Sequence, residues 1–188
     1  TYIVYAKGHN LYMLSVKDSV ETRLTTDGEL KYSYAQNDSD TTKKQVEARV
    51  TWFENSERFY VRRVDRRKVK SLYLVNNLSS RPTLSQYDYV MPGDQEVWRE
   101  ELFLVDTTAK KMVKVPVEKW KDQMLRLYPL GKKVKELYFL RRRRTCDEID
   151  FCKVDIKTGE VKVLINEISK PYFGNDFFHL SLLNEGKD

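Results

Sequence analysis

Few side chains in this 188-residue chain have the types and spacing that catalysis requires. None of the seven glycines begins a Gly-x-Ser-x-Gly nucleophile motif, and they are too scattered for a phosphate-binding loop. Two histidines (His9 and His179) and two cysteines offer few ways to build a His- or Cys-rich metal site. We therefore predict no catalytic residue, no metal ligand and no cofactor, and we expect both histidines to be structural.

The adjacent carboxylates Glu100 and Glu101 are the one acidic pair with chemical interest, because paired acids can capture a substrate ammonium group. In a β-strand, however, neighbouring side chains point to opposite faces of the sheet, so these two would not converge. We expect a surface role for each, and the substrate-binding residues stay unknown.

Four adjacent arginines, Arg141 to Arg144, could bind phosphate or an acidic peptide. Alternatively, a strand runs into a hairpin tip there, and Asp147, Glu148 and Asp150 on the returning strand pair with the arginines. We favour the hairpin, because no aromatic residues are interleaved as a nucleic-acid stacking platform needs. The formal net charge is +6, but most Lys and Arg residues lie within a few positions of an Asp or Glu. Such mixing is typical of a solvated surface, so we expect no nucleic-acid partner.

The two cysteines, Cys146 and Cys152, lie close enough in sequence to face each other across a turn. A disulfide is geometrically exacting, and the register is unknown at this point. We favour a role for Cys152 as a small buried apolar residue.

These side chains must be positioned by strands, because the dominant hydrophobic period is two. Tyr2–Ala6 and Leu11–Val16 flank a Gly-containing turn and predict a hairpin. A unit consisting of an apolar strand, an Asp, a short turn and a Lys/Val strand occurs at Leu102–Val115. It recurs at Ile149–Leu164, 47 residues later (149 − 102). Periods of roughly 40–50 residues with several strands each are typical of propeller blades, and a β-sandwich is the main alternative.

We therefore predict an all-β fold, a partial β-propeller of about three to four blades of antiparallel strands, and expect it to be a fragment of a larger protein. Residues 1–188 are predicted to form this single domain. It would contain a long, polar, exposed loop at 25–45, an ordered aromatic excursion at 76–97 and a truncated blade at 172–188. Open sheet edges would favour self-association. No apolar run is long enough to span a bilayer.

Four stretches together resemble the N-terminal region of the dipeptidyl peptidase IV branch of the prolyl oligopeptidase (serine peptidase) family. They match, in order, its N-L-Y…L-T-x-D-G blade end, a degraded W-S-P-D-G-K blade-opening motif, its Y-x-x-P-G…L-x-Φ-x-D segment and its V-D-x-x-T-G-E-V-K closing hairpin. The stretches are 10–28, 52–59, 89–106 and 149–165.

The resemblance implies a β-propeller that gates substrate access and supports a serine hydrolase domain following in the parent chain. The partners it implies are that hydrolase domain and a peptide substrate, and it implies a periplasmic or extracellular location. In the family, a W-x-Y-E-E-type motif binds the peptide N-terminus. The stretch between Gly28 and Trp52 lacks it, so no binding residue is transferred.

Two other functions stay open at the level of sequence. One is a stand-alone β-sheet module that binds protein or glycan through aromatic loop residues such as Tyr87, Tyr89 and Trp98. The other is nucleic-acid binding through the arginine run, which salt-dependent binding would reveal.

Overall fold

The computed structural model describes residues 1–37, 45–130 and 134–174. Within these ranges the chain consists of strands, turns and loops, without a helix, which confirms the all-β prediction. The strands are β1 (Tyr2–Lys7), β2 (Asn10–Ser15), β3 (Glu21–Arg23), β4 (Val50–Trp52), β5 (Arg58–Asp65), β6 (Ser71–Asn76), β7 (Thr83–Asp88), β8 (Arg99–Asp106), β9 (Lys111–Val115), β10 (Gln123–Leu130), β11 (Glu136–Arg143), β12 (Glu148–Val154) and β13 (Val161–Ile168).

The strands form three larger antiparallel sheets, numbered here along the chain. The first sheet has the order β1-β2-β3, the second β4-β5-β8-β9 and the third β10-β11-β12-β13. β6 and β7 form a separate two-stranded hairpin, the arm hairpin, inserted between β5 and β8. Apart from this insertion, each sheet is a meander of strands that follow one another in sequence.

The second sheet is covered on both faces. Successive side chains along each of its strands point to opposite faces, and each face packs against a neighbouring sheet. Phe59 and Val61 on β5 point into a core shared with the first sheet. Tyr60, the residue between them, points into a core shared with the third sheet, beside Phe139. Each fully buried phenylalanine contributes about 1.5–3 kcal/mol from the area it removes from water.

Successive sheets packed face to face are the arrangement of propeller blades, whereas a β-sandwich has only two packed sheets. The alternative fold is therefore wrong, and the partial β-propeller is confirmed. Over the described residues the sheets form an open succession of three blades rather than a closed ring.

The first hairpin forms as predicted, with Lys7 paired to Asn10 and a two-residue turn between them. Both turn residues, Gly8 and His9, have positive φ angles, which is the backbone of a type I′ turn. Gly28 packs against this turn so closely that a Cβ there would lie 2.2 Å from the His9 carbonyl oxygen. The Gly28 N–H donates to the Asn10 side chain at 2.9 Å, so a glycine is required at this blade end.

The structure describes residues 25–37 and 45 of the exposed loop predicted at 25–45, and the prediction is wrong around Tyr34. Tyr34 and Ala35 are fully buried in the first core. The Tyr34 ring packs against Phe103, and its hydroxyl donates to Asp27 at 3.2 Å. The polar composition misled because Tyr34 and Ala35 enter the core from a segment that is otherwise mostly polar. Residues 38–44 lie outside the described part.

The excursion predicted at 76–97 begins earlier, at Ser71, because the arm hairpin includes the apolar run of β6. The arm is largely exposed, and Leu78 at its tip retains 98% of its accessible surface. Its base is fixed to the blades by an ion pair between Lys31 and Asp88 (2.7 Å) and by a hydrogen bond from Arg144 to the Met91 carbonyl (2.7 Å). Of the truncated blade predicted at 172–188, only residues 172–174 are described, so that expectation lies almost wholly outside the structure.

Candidate functional site

A cleft of about 500 Å³ lies at one end of the second sheet, where β5 ends, β8 begins and β9 leads into β10. Its lining is rich in charged and aromatic side chains. The lining residues are Tyr32, Asp65, Arg67, Trp98, Arg99, Glu100, Glu101, Lys114, Val115, Pro116, Val117, Glu118, Trp120, Lys121 and Gln123. This volume falls in the range of small-ligand sites, which makes the cleft the candidate functional site.

A buried arginine organises the wall of the cleft next to the first sheet. The side chain of Arg63 is only 3% exposed, and its guanidinium carbon lies 3.5 Å from the Tyr32 ring centroid. Arg63 donates to Asp27 at 2.8 Å and to Glu101 at 2.7 Å. Tyr32 donates to Glu101 at 3.0 Å and accepts a bond from Arg63. One buried cation is therefore shared between two carboxylates and a phenol.

Glu101 is held in its charged form by these neighbours. Burial alone would raise the pKa of its carboxyl, but Lys114 at 2.5 Å and Arg63 lower that pKa below its usual value. Burial raises the pKa of Tyr32 to about 12, although the charge of Arg63 opposes the shift. Tyr32 therefore keeps its proton at neutral pH and remains a donor to Glu101.

The structure confirms that Glu100 and Glu101 face opposite sides of the sheet, but the expectation of surface roles is wrong. The side chains of Glu100 and Glu101 are only 13% and 16% exposed. Glu100 forms an ion pair with Arg62 at 2.7 Å and accepts a hydrogen bond from the backbone of Leu125 on the third sheet. Burial raises the pKa of Glu100, more than Arg62 lowers it.

The opposite wall of the cleft is a turn held by a single amide side chain. Gln123 accepts hydrogen bonds from the backbone N–H groups of Lys119 (2.9 Å) and Trp120 (3.1 Å), and it donates to the Val117 carbonyl (3.0 Å). These three bonds fix residues 117–123, so this wall is preformed. Nothing in the local sequence marks Gln123 for this role.

The aromatic residues considered for ligand binding do not come together. Trp98 lies in the cleft and is 43% exposed. Tyr87 and Tyr89 instead contact each other edge to face at the base of the arm hairpin, with ring centroids 6.0 Å apart.

The arginine run forms the hairpin tip predicted from the sequence. Arg141 bonds to the buried Asp150 at 2.8 Å, Arg143 pairs with Asp147 at 3.3 Å, and Arg144 pairs with Asp122 at 2.8 Å. Because these three cations are neutralised within the fold, the run does not form a polyanion-binding stripe.

The remaining sequence candidates form no reactive centre in the described residues. Cys146 and Cys152 are both free thiols, and Cys152 is buried in the second core as predicted. Burial raises the pKa of the Cys152 thiol to about 11, so this side chain stays protonated. His9 lies in the first hairpin turn, and His179 lies outside the described part.

In the ranges that the structure describes, no group of three or more His, Cys, Asp or Glu side chains could hold a metal ion. Over the same ranges, no helix is long and apolar enough to cross a membrane.

Comparison with known proteins identifies what the chain is similar to. The model of the "Dipeptidyl peptidase IV (DPP IV) N-terminal region" family matches residues 1–185. No curated protein sequence matches the chain. A crystal structure of a protein assigned as a dipeptidyl aminopeptidase IV from Bacteroides ovatus is similar over 91% of this chain and 23% of its own, with a TM-score of 0.62 and 18% identity. Porphyromonas gingivalis dipeptidyl peptidase 4 is similar over 91% of this chain and 25% of its own, with a TM-score of 0.65 and 16% identity. The chain thus spans about a quarter of the length of these structures.

Proposed function

The chain belongs to the family of dipeptidyl peptidase IV N-terminal regions, and from this premise we propose that it is the non-catalytic β-propeller part of a serine-type dipeptidyl peptidase. The observation that carries the proposal is the family match over residues 1–185, together with the face-to-face packing of three blades. The secreted or periplasmic location of such a parent protein is part of the same proposal.

The role we propose for the propeller is to gate access of peptides to a hydrolase domain and to support that domain. A ring of blades leaves only a narrow central channel and side openings, so short or unfolded peptides pass and folded proteins do not. The described residues contribute three consecutive blades and a rigidly walled cleft at one end of the second sheet.

The isolated chain is expected to release no product from dipeptidyl p-nitroanilides, because its sequence has no Gly-x-Ser-x-Gly motif. The measurement is absorbance of p-nitroaniline over hours at micromolar chain, with a known serine peptidase as the positive control. The encoding gene is expected to contain a Gly-x-Ser-x-Gly region downstream. Clear turnover by the pure chain, or a gene without that region, would count against the proposal.

A stand-alone module that binds protein or glycan is the second candidate, and the exposed Trp98 in the cleft favours it. A complete gene whose product ends near residue 188 would support this alternative over the peptidase.

We also propose that the isolated chain self-associates through its open edges. Among the residues that the structure describes, β13 is the outer strand of the third sheet and exposes Val163, Leu164 and Ile165, so its outward backbone groups can add a strand from a second copy. Light scattering at high concentration should show dimers or larger species, and Ile165→Lys should reduce them. A strictly monomeric chain would refute this expectation.

A further inference from the structure

We propose that the cleft at the end of the second sheet binds a carboxylate of a peptide through Arg99, with the neighbouring part of the peptide against Trp98. The side chains that line the cleft indicate a carboxylate. The choice of a peptide rests on the proposed function.

Most charged groups of the cleft already have partners inside the fold. Arg67 holds Asp65 through both carboxylate oxygens, at 2.9 and 2.7 Å. Lys114 is paired with Glu101. These groups form the walls and have little capacity left for a ligand.

Arg99 is different, because its guanidinium has no hydrogen bond or ion pair within the ranges that the structure describes. Its partner across the antiparallel pair is Asp65, at the end of β5. That carboxylate is instead bonded to Arg67 through both oxygens, and it makes no ion pair with Arg99 in the described structure. Arg99 is exposed and lines the cleft, and its five N–H donors are therefore open to an incoming group.

The other open polar groups of the cleft are also mainly donors. The Lys121 ammonium and the indole N–H groups of Trp98 and Trp120 form no hydrogen bond in the described structure. Glu118 is the one charged acceptor without a partner there. A cleft with more open donors than acceptors is suited to a ligand that carries acceptors, and a guanidinium matches a carboxylate in a two-bond, planar arrangement.

A singly charged carboxylate fits this cleft better than phosphate does. Asp65, Glu101 and Glu118 all line it, so a dianion would meet stronger repulsion than a monoanion. Trp98 lines the same cleft and presents an exposed indole ring, which offers an apolar surface to the part of the peptide near the carboxylate. The volume of about 500 Å³ holds a short peptide segment rather than a large polyanion.

The test is a titration of the 188-residue chain, followed by tryptophan fluorescence and calorimetry, with two acetylated and amidated tripeptides. One carries a central glutamate and the other a central glutamine. A third tripeptide has a free C-terminal carboxylate and no acidic side chain, which distinguishes the two possible sources of the carboxylate. We expect binding of the glutamate peptide, of the free-carboxylate peptide, or of both, and no binding of the glutamine peptide.

Arg99→Gln should weaken this binding on the order of tenfold or more, since it removes a charge-assisted hydrogen bond. Arg81→Gln, at an exposed position in the loop of the arm hairpin, is the matched control and should leave the affinity unchanged. Trp98→Phe should reduce the fluorescence response, which Trp120 in the same cleft then reports alone, and keep the calorimetric one.

Three results would overturn the inference: no binding of either carboxylate peptide, equal binding of the glutamate and glutamine peptides, or unchanged affinity in Arg99→Gln. Tighter binding of glucuronate or inorganic phosphate than of the peptides would overturn the assignment to a peptide. None of these results depends on hydrolysis, so they are distinguishable from failure of the proposed function.

Discussion

Replacing Arg63 by methionine is expected to lower the free energy of unfolding by about 3–5 kcal/mol. Methionine keeps much of the apolar stem but removes the buried charge that Asp27 and Glu101 share, and Glu101 is left with Lys114. Asp27 and the largely buried Glu101 would lose their shared partner, and the Tyr32 ring would lose its cation. A loss of this size is a large fraction of the 5–15 kcal/mol that is typical of domain stability.

Urea unfolding followed by tryptophan fluorescence measures this effect. Arg67→Met is the matched control, because Arg67 also lies over the Tyr32 ring, at 3.8 Å, but pairs with Asp65 and Glu29 at the surface. It should cost much less than Arg63→Met. Equal losses in the two variants would contradict the view that burial makes the Arg63 network important.

The pH dependence gives this prediction a second readout. Despite burial, Arg63 holds the pKa of Asp27 below its usual range, and Lys114 together with Arg63 does the same for the pKa of Glu101. A carboxyl with a lowered folded-state pKa stabilises the fold above its unfolded-state pKa, and this stabilisation is lost as the pH falls through the folded-state pKa. The unfolding free energy should therefore fall in acid, and the fall should be shallower in Arg63→Met.

Replacing Asp150 by alanine is the second change with a large expected effect, about 3 kcal/mol or more. The side chain of Asp150 is 1% exposed and receives bonds from Arg141 (2.8 Å), Lys119 (3.1 Å) and Asn166 (2.6 Å). Alanine would leave the buried guanidinium of Arg141 without its carboxylate. These groups connect β11, β12 and β13 with the turn before β10, so the whole third sheet would weaken.

Thermal and urea unfolding of Asp150→Ala should be compared with those of Asp147→Ala, three positions away. Asp147 is paired with Arg143 at 3.3 Å in contact with solvent, so its loss should change stability little. If Asp150→Ala were as stable as Asp147→Ala, the buried pair would not support the third sheet as we describe.

The networks around Arg63 and Asp150 differ in how far they could be predicted from the sequence. The Arg141–Asp150 pair was accessible from the sequence, because a hairpin brings the returning strand opposite the arginines within nine residues. The partners of Arg63, Asp27 and Glu101, lie 36 and 38 residues away. The sequence shows two adjacent arginines, Arg62 and Arg63, on one strand and two adjacent glutamates, Glu100 and Glu101, on another. Only the register of β5 with β8 shows that Arg63 lies opposite Glu101.

The fold was predictable for a related reason. Apolar residues that recur with period two indicate strands, continuous apolar runs such as Leu102–Val105 indicate strands covered on both faces, and the recurring strand-turn-strand unit indicates blades. The buried segment around Tyr34 was not predictable, because two apolar residues among many polar ones form no period, and their burial depends on a core built by other strands. The cleft was likewise hidden, since its walls come from four separate parts of the chain.

Dipeptide release by the full-length gene product tests the central proposal most directly. The measurement compares short unstructured peptides with a folded protein that has the same accessible N-terminal sequence, using mass spectrometry to detect the released dipeptide. A propeller that gates a dipeptidyl peptidase predicts release from the short peptides and none from the folded protein. Absence of dipeptide release from every substrate would contradict the peptidase assignment, and equal rates on peptides and folded protein would contradict gating.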